Sequence, residues 1–193
     1  MVEQWTPIAV PAGVQPGDIA TKDIFKILKF DRSQQTYIET GTYLGGGIKW
    51  ALNYFEEVHS IEILERFYQP CVEKFKNNSK VHIHLGDSRT ILSQLLKQIN
   101  KPCFIFLDAH GDINEQGPNP LYNELEAIKN HSIKNHVIVI DDLRRIGDPS
   151  DPCWSKISRD ELKLQLQSIN KEYEVFEYND SIVAMLTTDK TTE

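Results

Sequence analysis

Short runs of apolar and β-branched residues recur along the chain at TYIET (36–40), EVHSIEI (57–63), KVHIHL (80–85), CFIFLD (103–108) and HVIVID (136–141). Between them lie segments of helix length, at 47–55, 64–77, 88–100 and 120–131. Strand and helix patterns in regular alternation predict parallel strands joined by right-handed crossovers, with helices on both faces of the sheet. CFIFL and VIVI are apolar at every position rather than at alternate ones, the pattern of strands buried on both sides. The C-terminal part reads differently. A helix over 157–170 is followed by EYEVFEYN and SIVAMLTT, separated by Asn179-Asp180, and strands so closely joined pair as an antiparallel hairpin.

The two ends carry other signals. Pro7, Pro11, Pro16, Gly13 and Gly17 make residues 1–20 an irregular arm. A short helix is expected from 21 to 30, burying Ile24, Phe25, Ile27 and Leu28. Residues 21–188 then read as a single domain and 189–193 as a frayed tail. A length of 193 residues fits one domain with a real core.

Composition narrows the partners. The formal net charge is −7, and no run of Lys and Arg forms the basic patch that nucleic acid or an anionic membrane surface demands. No apolar stretch approaches the roughly 18 residues of a membrane span, and the start, MVEQWTPIAV, lacks the features of a signal peptide. Cys71, Cys103 and Cys153 form neither a CxxC pair nor a zinc pattern, so a reducing, cytoplasmic setting is expected. Cys103, inside an apolar run, reads as core.

In open α/β sheets ligands bind at the C-terminal ends of the strands, so what each strand delivers there matters most. The first delivers Glu39-Thr-Gly-Thr-Tyr-Leu-Gly-Gly-Gly47, a glycine-rich turn that lets backbone approach a ligand and frees helix N–H groups. Its spacing is not the GxGxxG of a dinucleotide site. The second ends in Glu62, about 20 residues beyond Glu39, where an acid can accept both hydroxyls of a ribose. It is equally an acid at a helix start, favoured by the dipole. The third ends in Gly86-Asp87-Ser88, whose polar side chains can cap the next helix, face an adenine edge, or do both.

ETGTYLGGG, the acid of HSIEI and HLGDS together resemble the first three motifs of class I S-adenosylmethionine-dependent methyltransferases. The resemblance spans about 36 to 187 and includes the antiparallel last pair of strands. It implies a doubly wound, mostly parallel, seven-stranded Rossmann-like α/β sheet that binds S-adenosylmethionine. By that likeness Gly41, Thr42 and Gly45 line the methionine end of the cofactor with Glu39 nearby, Glu62 holds the ribose, and Asp87 with Ser88 lies beside the adenine. Tyr43 stands where many members carry a second early glycine.

The fourth and fifth strands add Asp108-Ala-His110-Gly-Asp112 and Asp141-Asp142. Carboxylates converging from neighbouring strands repel one another unless a cation or proton intervenes, and an all-oxygen cluster suits Mg²⁺, Mn²⁺ or Ca²⁺. This arrangement resembles the metal-dependent O-methyltransferases of the catechol and macrocin types, which implies Asp108, Asp141 and Asp142 as metal ligands. An ion there lowers the pKa of a substrate hydroxyl and orients it for transfer. His110 is a general base, a partner of a ligand, or a loop histidine with structural contacts only.

The expectation is therefore an O-methyltransferase acting on a small hydroxylated acceptor, a sugar or natural-product glycoside before an aromatic diol, with Asp108 and His110 at the reacting centre. Two other readings compete. A methyltransferase fold can persist as an inactive binding or scaffolding module, although the acids and glycines it would lose are present. DAHGD also matches the DAHxD signature of manganese ureohydrolases, but the second Asp-rich motif of that two-metal site is missing. Acceptor loops are expected at 111–120, at 143–154 and in the N-terminal arm around Trp5. Arg144 and Arg145 can neutralise a substrate anion or pair with Asp142, and Trp154 can stack on a ring or anchor the core.

Overall fold

The computed structural model describes residues 36–111 and 113–186. The N-terminal arm with Trp5, the helix expected over 21–30, Asp112 and the tail after 186 lie outside the described residues. Strand β1 (Thr36–Thr40) is followed by α1 (Gly46–Ala51), β2 (Glu57–Glu62), α2 (Glu65–Phe75), β3 (Val81–Leu85), α3 (Ser88–Leu96) and β4 (Cys103–Leu107). After these come α4 (Ile113–Gln116), α5 (Leu121–Asn130), β5 (Val137–Ile140), a 3₁₀ turn (Leu143–Arg145), α6 (Arg159–Ile169), β6 (Glu174–Tyr178) and β7 (Ser181–Met185).

The apolar runs CFIFL and VIVI become β4, the middle strand, and its neighbour β5. The sheet order is β3-β2-β1-β4-β5-β7-β6. β1 to β5 pair in parallel, while β7 runs against both β5 and β6. The sequence therefore anticipated both the doubly wound sheet and its antiparallel C-terminal pair. The hairpin turns at Asn179, which takes a left-handed conformation (φ 50°).

Two apolar layers flank the sheet. Ile38, Ile105, Ile138 and Ile140 face Leu92, Leu96, Leu125, Leu162 and Leu166 of α3, α5 and α6. Tyr37, Phe104, Val137 and Val139 face Ile48, Ala51 and Phe55 on the other side. Cys103 is fully buried, as expected, and burial pushes its thiol up to about 12. Among the described residues, no helix is long and apolar enough to cross a membrane.

At the N-terminal ends of the strands, two histidines are locked in place. The Cys103 N–H donates to His136 Nδ1 (3.1 Å), so the His136 proton sits on Nε2. That proton faces His131 Nδ1 (2.9 Å), and His131 Nε2 donates to the Ile99 carbonyl (2.9 Å). Every ring nitrogen of the pair has a partner.

From β1 the described chain winds outward to β3 and returns to β4 on the other side of β1. The crevice that this reversal opens at the C-terminal strand ends is the expected ligand position of such a sheet.

Candidate functional site

A pocket of about 330 Å³ occupies this crevice. Its walls include Gly41 after β1, Glu62 at the end of β2, Asp87 and Ser88 after β3, and Asp108 and His110 after β4. Six of the residues singled out in the sequence therefore line one cavity. Glu39, Thr42, Gly45, Asp141 and Asp142 are not among its lining residues.

Gly41 permits the crevice to exist. Its φ is +91°, and a Cβ there would stand 2.5 Å from the Asp108 carbonyl oxygen, so β1 and β4 can end this close only at a glycine. Tyr43 follows in a left-handed conformation (φ 47°), which aims its N–H at Glu62 Oε2 (2.9 Å). The Leu64 N–H binds the other oxygen, Oε1, at 2.9 Å. The Glu62 carboxylate, 4% exposed, is thus fixed by one backbone donor on each oxygen. Each oxygen retains a lone pair for a ligand hydroxyl.

Asp87 caps α3, its Oδ1 accepting the Arg89 N–H at 2.9 Å. The Arg89 side chain also grips the carboxylate, with Nε 2.8 Å from Oδ2, and this hydrogen bonding holds the Asp87 carboxyl below its ordinary range. The capping and ligand-facing readings of Asp87 coexist, because the residue caps the helix and lines the pocket. Ser88 is buried beside it.

Glu39 and Thr42 lie just behind the wall. Glu39 is 2% exposed and accepts from Tyr37 Oη (3.0 Å) and Ser60 Oγ (2.6 Å), while Thr42 Oγ1 bonds Ser60. Burial pushes the Glu39 carboxyl up to about 7 against the opposing pull of those hydrogen bonds. A Cβ on Gly47 would lie 1.9 Å from Glu39 Oε2, so this carboxyl fills the space beneath the third glycine of the run. Gly45 caps α1 and packs on Phe75 and Cys71 of α2.

At the far end of the pocket, Asp108, His110 and Asp142 each offer a donor atom within 4.8 Å of the others. This is the one such cluster among the described residues. Burial, then the charges of Asp141 and Asp142, raise the Asp108 carboxyl well above its ordinary value. His110 is 7% exposed, and neither ring nitrogen has a hydrogen-bond partner. Burial holds it neutral, pushing it down to about 3. Its ring stands edge-on to Trp154 at 4.4 Å, and Trp154 is fully buried, a core anchor behind the histidine.

Asp142 takes a left-handed conformation (φ 63°). It pairs with Arg144 (2.7 Å) and Arg145 (2.9 Å), which settles those two arginines as its partners. Asp141 stands next to the cluster without belonging to it. Ser181 Oγ donates to its Oδ1 at 3.3 Å, and burial raises its carboxyl. The donor set is therefore two carboxylates and one imidazole, where the sequence pointed to three carboxylates. It fits a divalent ion on two counts: a cation would relieve the crowding of Asp108, and two buried ring nitrogens stand without protein partners.

Segment 111–120, expected as an acceptor loop, does contribute to the pocket wall, but the sequence reading singled out none of its lining residues and passed over α2. Arg66 of α2 and Glu115 of α4 form an ion pair, and both line the pocket. Phe67 carries Tyr43 edge-on at 4.8 Å and the Arg66 guanidinium at 5.0 Å. Outside the pocket lining, Glu124 of α5 is fully buried, and neither carboxyl oxygen has a hydrogen-bond partner. Burial pushes it up to about 7, opposed by the nearby Ser88 and Thr40 hydroxyls. A signal for it existed: Leu121, Glu124, Leu125 and Ile128 have the spacing of one helix face, with an acid in a core position.

No protein-family model matches the sequence, and a search of curated proteins finds no match. Solved structures do match. The MycE methyltransferase of the mycinamycin biosynthetic pathway, in complex with Mg, SAH and mycinamycin VI, aligns at a TM-score of 0.62 and 15% identity, over 89% of this chain and 49% of that one. The SAH-bound Podospora anserina methyltransferase PaMTH1 aligns at 0.54 and 15%, over 88% and 78% of the two chains. SMU.1697c from Streptococcus mutans, in complex with SAH, aligns at 0.57 and 13%, over 90% and 99%. The chain spans about half the length of the MycE chain. At these identities the likeness is one of fold, and the fold is that of class I methyltransferases.

Proposed function

We propose that this chain transfers the methyl group of S-adenosylmethionine to a hydroxyl of a small acceptor, a sugar or glycoside with neighbouring hydroxyls, with help from a divalent ion. One observation carries the reading: Glu62, Asp87 and the Asp108–His110 pair line a single cavity, so a nucleoside-binding end and a carboxylate–imidazole end share one space. MycE, solved with Mg, SAH and mycinamycin VI, supports it by likeness of fold.

Glu62, held by the Tyr43 and Leu64 N–H groups, binds the ribose hydroxyls. Asp87 and Ser88 bind the adenine edge, with Arg89 holding Asp87 ionised. Gly41 leaves the methionine end room against β4. Asp108, His110 and Asp142 would hold the ion, which would supply a Lewis acid that lowers the pKa of the acceptor hydroxyl. Arg144 and Arg145 keep Asp142 in place for that role. A bound cation would offset the crowding that raises Asp108, leaving its carboxylate ionised and able to take up the hydroxyl proton. Trp154 backs His110 and keeps water from that side of the ring. Loops 111–120 and 143–154, polar rather than aromatic, favour a glycoside over an aromatic diol.

Calorimetric titration with S-adenosylhomocysteine, with Mg²⁺ and after chelation, tests the nucleoside end. Micromolar binding is expected in both buffers, and absence of binding in both overturns the proposal. Asp108→Asn should then keep that affinity while methylation across a panel of vicinal-diol glycosides falls by at least about 100-fold. Unchanged turnover would remove Asp108 from the reaction.

A further inference from the structure

Three of the six histidines gather on the outer strands β2 and β3, outside the pocket lining. His59 stands in register with His82, and Ile61 with His84. His82 and His84 alternate along β3 and so share a face, with His59 beside them on the neighbouring strand. The His59 ring lies 4.9 Å from that of His82 and 5.4 Å from that of His84. His59 Nδ1 and His84 Nε2 are 3.1 Å apart. His59 is buried, His84 half-buried and His82 exposed.

Glu57, also on β2, places Oε1 3.3 Å from His59 Nε2, at an angle that leaves this buried nitrogen without a hydrogen bond. Against the cost of burial, Thr36 and Lys101 hold Glu57 ionised, down to about 2.

We propose that His59, His82 and His84 form a second metal site, selective for a transition ion of the Zn²⁺ class, with Glu57 orienting His59 from behind. Two ligand nitrogens on one tetrahedral ion, at bonds of about 2.0–2.1 Å, stand about 3.3 Å apart. The His59–His84 pair is already near that separation. Three imidazoles suit Zn²⁺, Cu²⁺ or Ni²⁺ and discriminate against Mg²⁺ and Ca²⁺, which take oxygen ligands. A ligating histidine commonly gives its other N–H to a carboxylate, and Glu57 stands where His59 Nε2–H needs one. Burial keeps His59 and His84 neutral below their ordinary range, so protons compete weakly for their lone pairs. As placed, no nitrogen of His82 lies within 4.8 Å of both partners, so its exposed side chain must rotate toward the pair to complete the site. An ion here fastens β3 to β2, the two strands that end in Asp87 and Glu62.

The test is a Zn²⁺ titration of the full, untagged chain carrying Asp142→Asn, which removes the donor cluster of the pocket from the measurement. One Zn²⁺ is expected at a micromolar or tighter Kd, unaffected by millimolar Mg²⁺. Visible absorption of the Co²⁺ form should show the bands of a four-coordinate site. Adding His82→Ala or His84→Ala should weaken Zn²⁺ binding at least tenfold. The site is refuted if Asp142→Asn binds no Zn²⁺, if Mg²⁺ displaces the ion, or if both histidine variants bind as tightly as their parent. His82 is exposed, so its variant keeps the test decisive should His84→Ala fail to fold.

Discussion

The two ends of the sheet bury histidines in opposite ways. At the N-terminal ends of the strands, His131 and His136 place all four ring nitrogens against a donor or an acceptor, and the chain of bonds fixes both tautomers. At the C-terminal ends, His110 is buried just as deeply with neither nitrogen bonded. Burying an imidazole without partners costs free energy that the first arrangement avoids. The difference separates a histidine that holds β4, β5 and α5 together from one whose bonding capacity is kept for something other than the protein chain. Carboxylates follow the same division. Glu62 has a backbone donor on each oxygen, whereas Asp108 and Glu124 are crowded or unpartnered and hold their protons unusually tightly.

Substitutions can break this comparison. The largest stability effect is expected at the satisfied site. His136→Ala leaves the Cys103 N–H and a His131 nitrogen unpaired in the core and should cost about 2–4 kcal/mol by urea denaturation. Glu124→Gln should matter less and should change with pH. The native carboxyl keeps its proton up to about 7, while the unfolded chain releases it near 4.5, so this group withdraws stability as pH rises through that window. The variant should match the wild type near pH 4.5 and exceed it by about 1–3 kcal/mol at pH 8. Thermal melts at the two pH values check the sign, and a variant weaker at pH 8 would mean Glu124 is ionised and paired. The smallest effect is expected for His110→Leu, within about 1 kcal/mol of the wild type, because no hydrogen bond is lost. Were it to cost as much as His136→Ala, His110 would belong with the structural histidines.

Much of the frame could be read from residue order. TYIET, CFIFL and VIVI announce buried strands by composition, and the closeness of EYEVFEYN to SIVAMLTT leaves only a hairpin. Of the site, the polar residues at strand ends were legible because their position in the topology determines which crevice they face. What stayed hidden depends on local torsion or distant pairing. Asp141 and Asp142 are the same residue type side by side, and it is the left-handed turn at Asp142 that leaves Asp141 to Ser181 and brings Asp142 toward His110. Arg66 and Glu115 belong to separate helices, and no feature of either segment names the other as its partner. Glu124 was the exception: its place in an apolar stripe was visible, but a single acid in a helix reads first as a solvent-facing residue.

The carboxyl beneath Gly47 has a consequence for how the sequence can vary. Because Glu39 Oε2 occupies the place of a Cβ at residue 47, the two positions behave as one heritable unit. Alanine at 47 is compatible only with a shorter side chain at 39, so a directed-evolution search that samples position 47 alone will reject alanine while glutamate stands at 39. Sampling them jointly opens the pairing of aspartate with alanine, which substitution at 47 alone cannot reach.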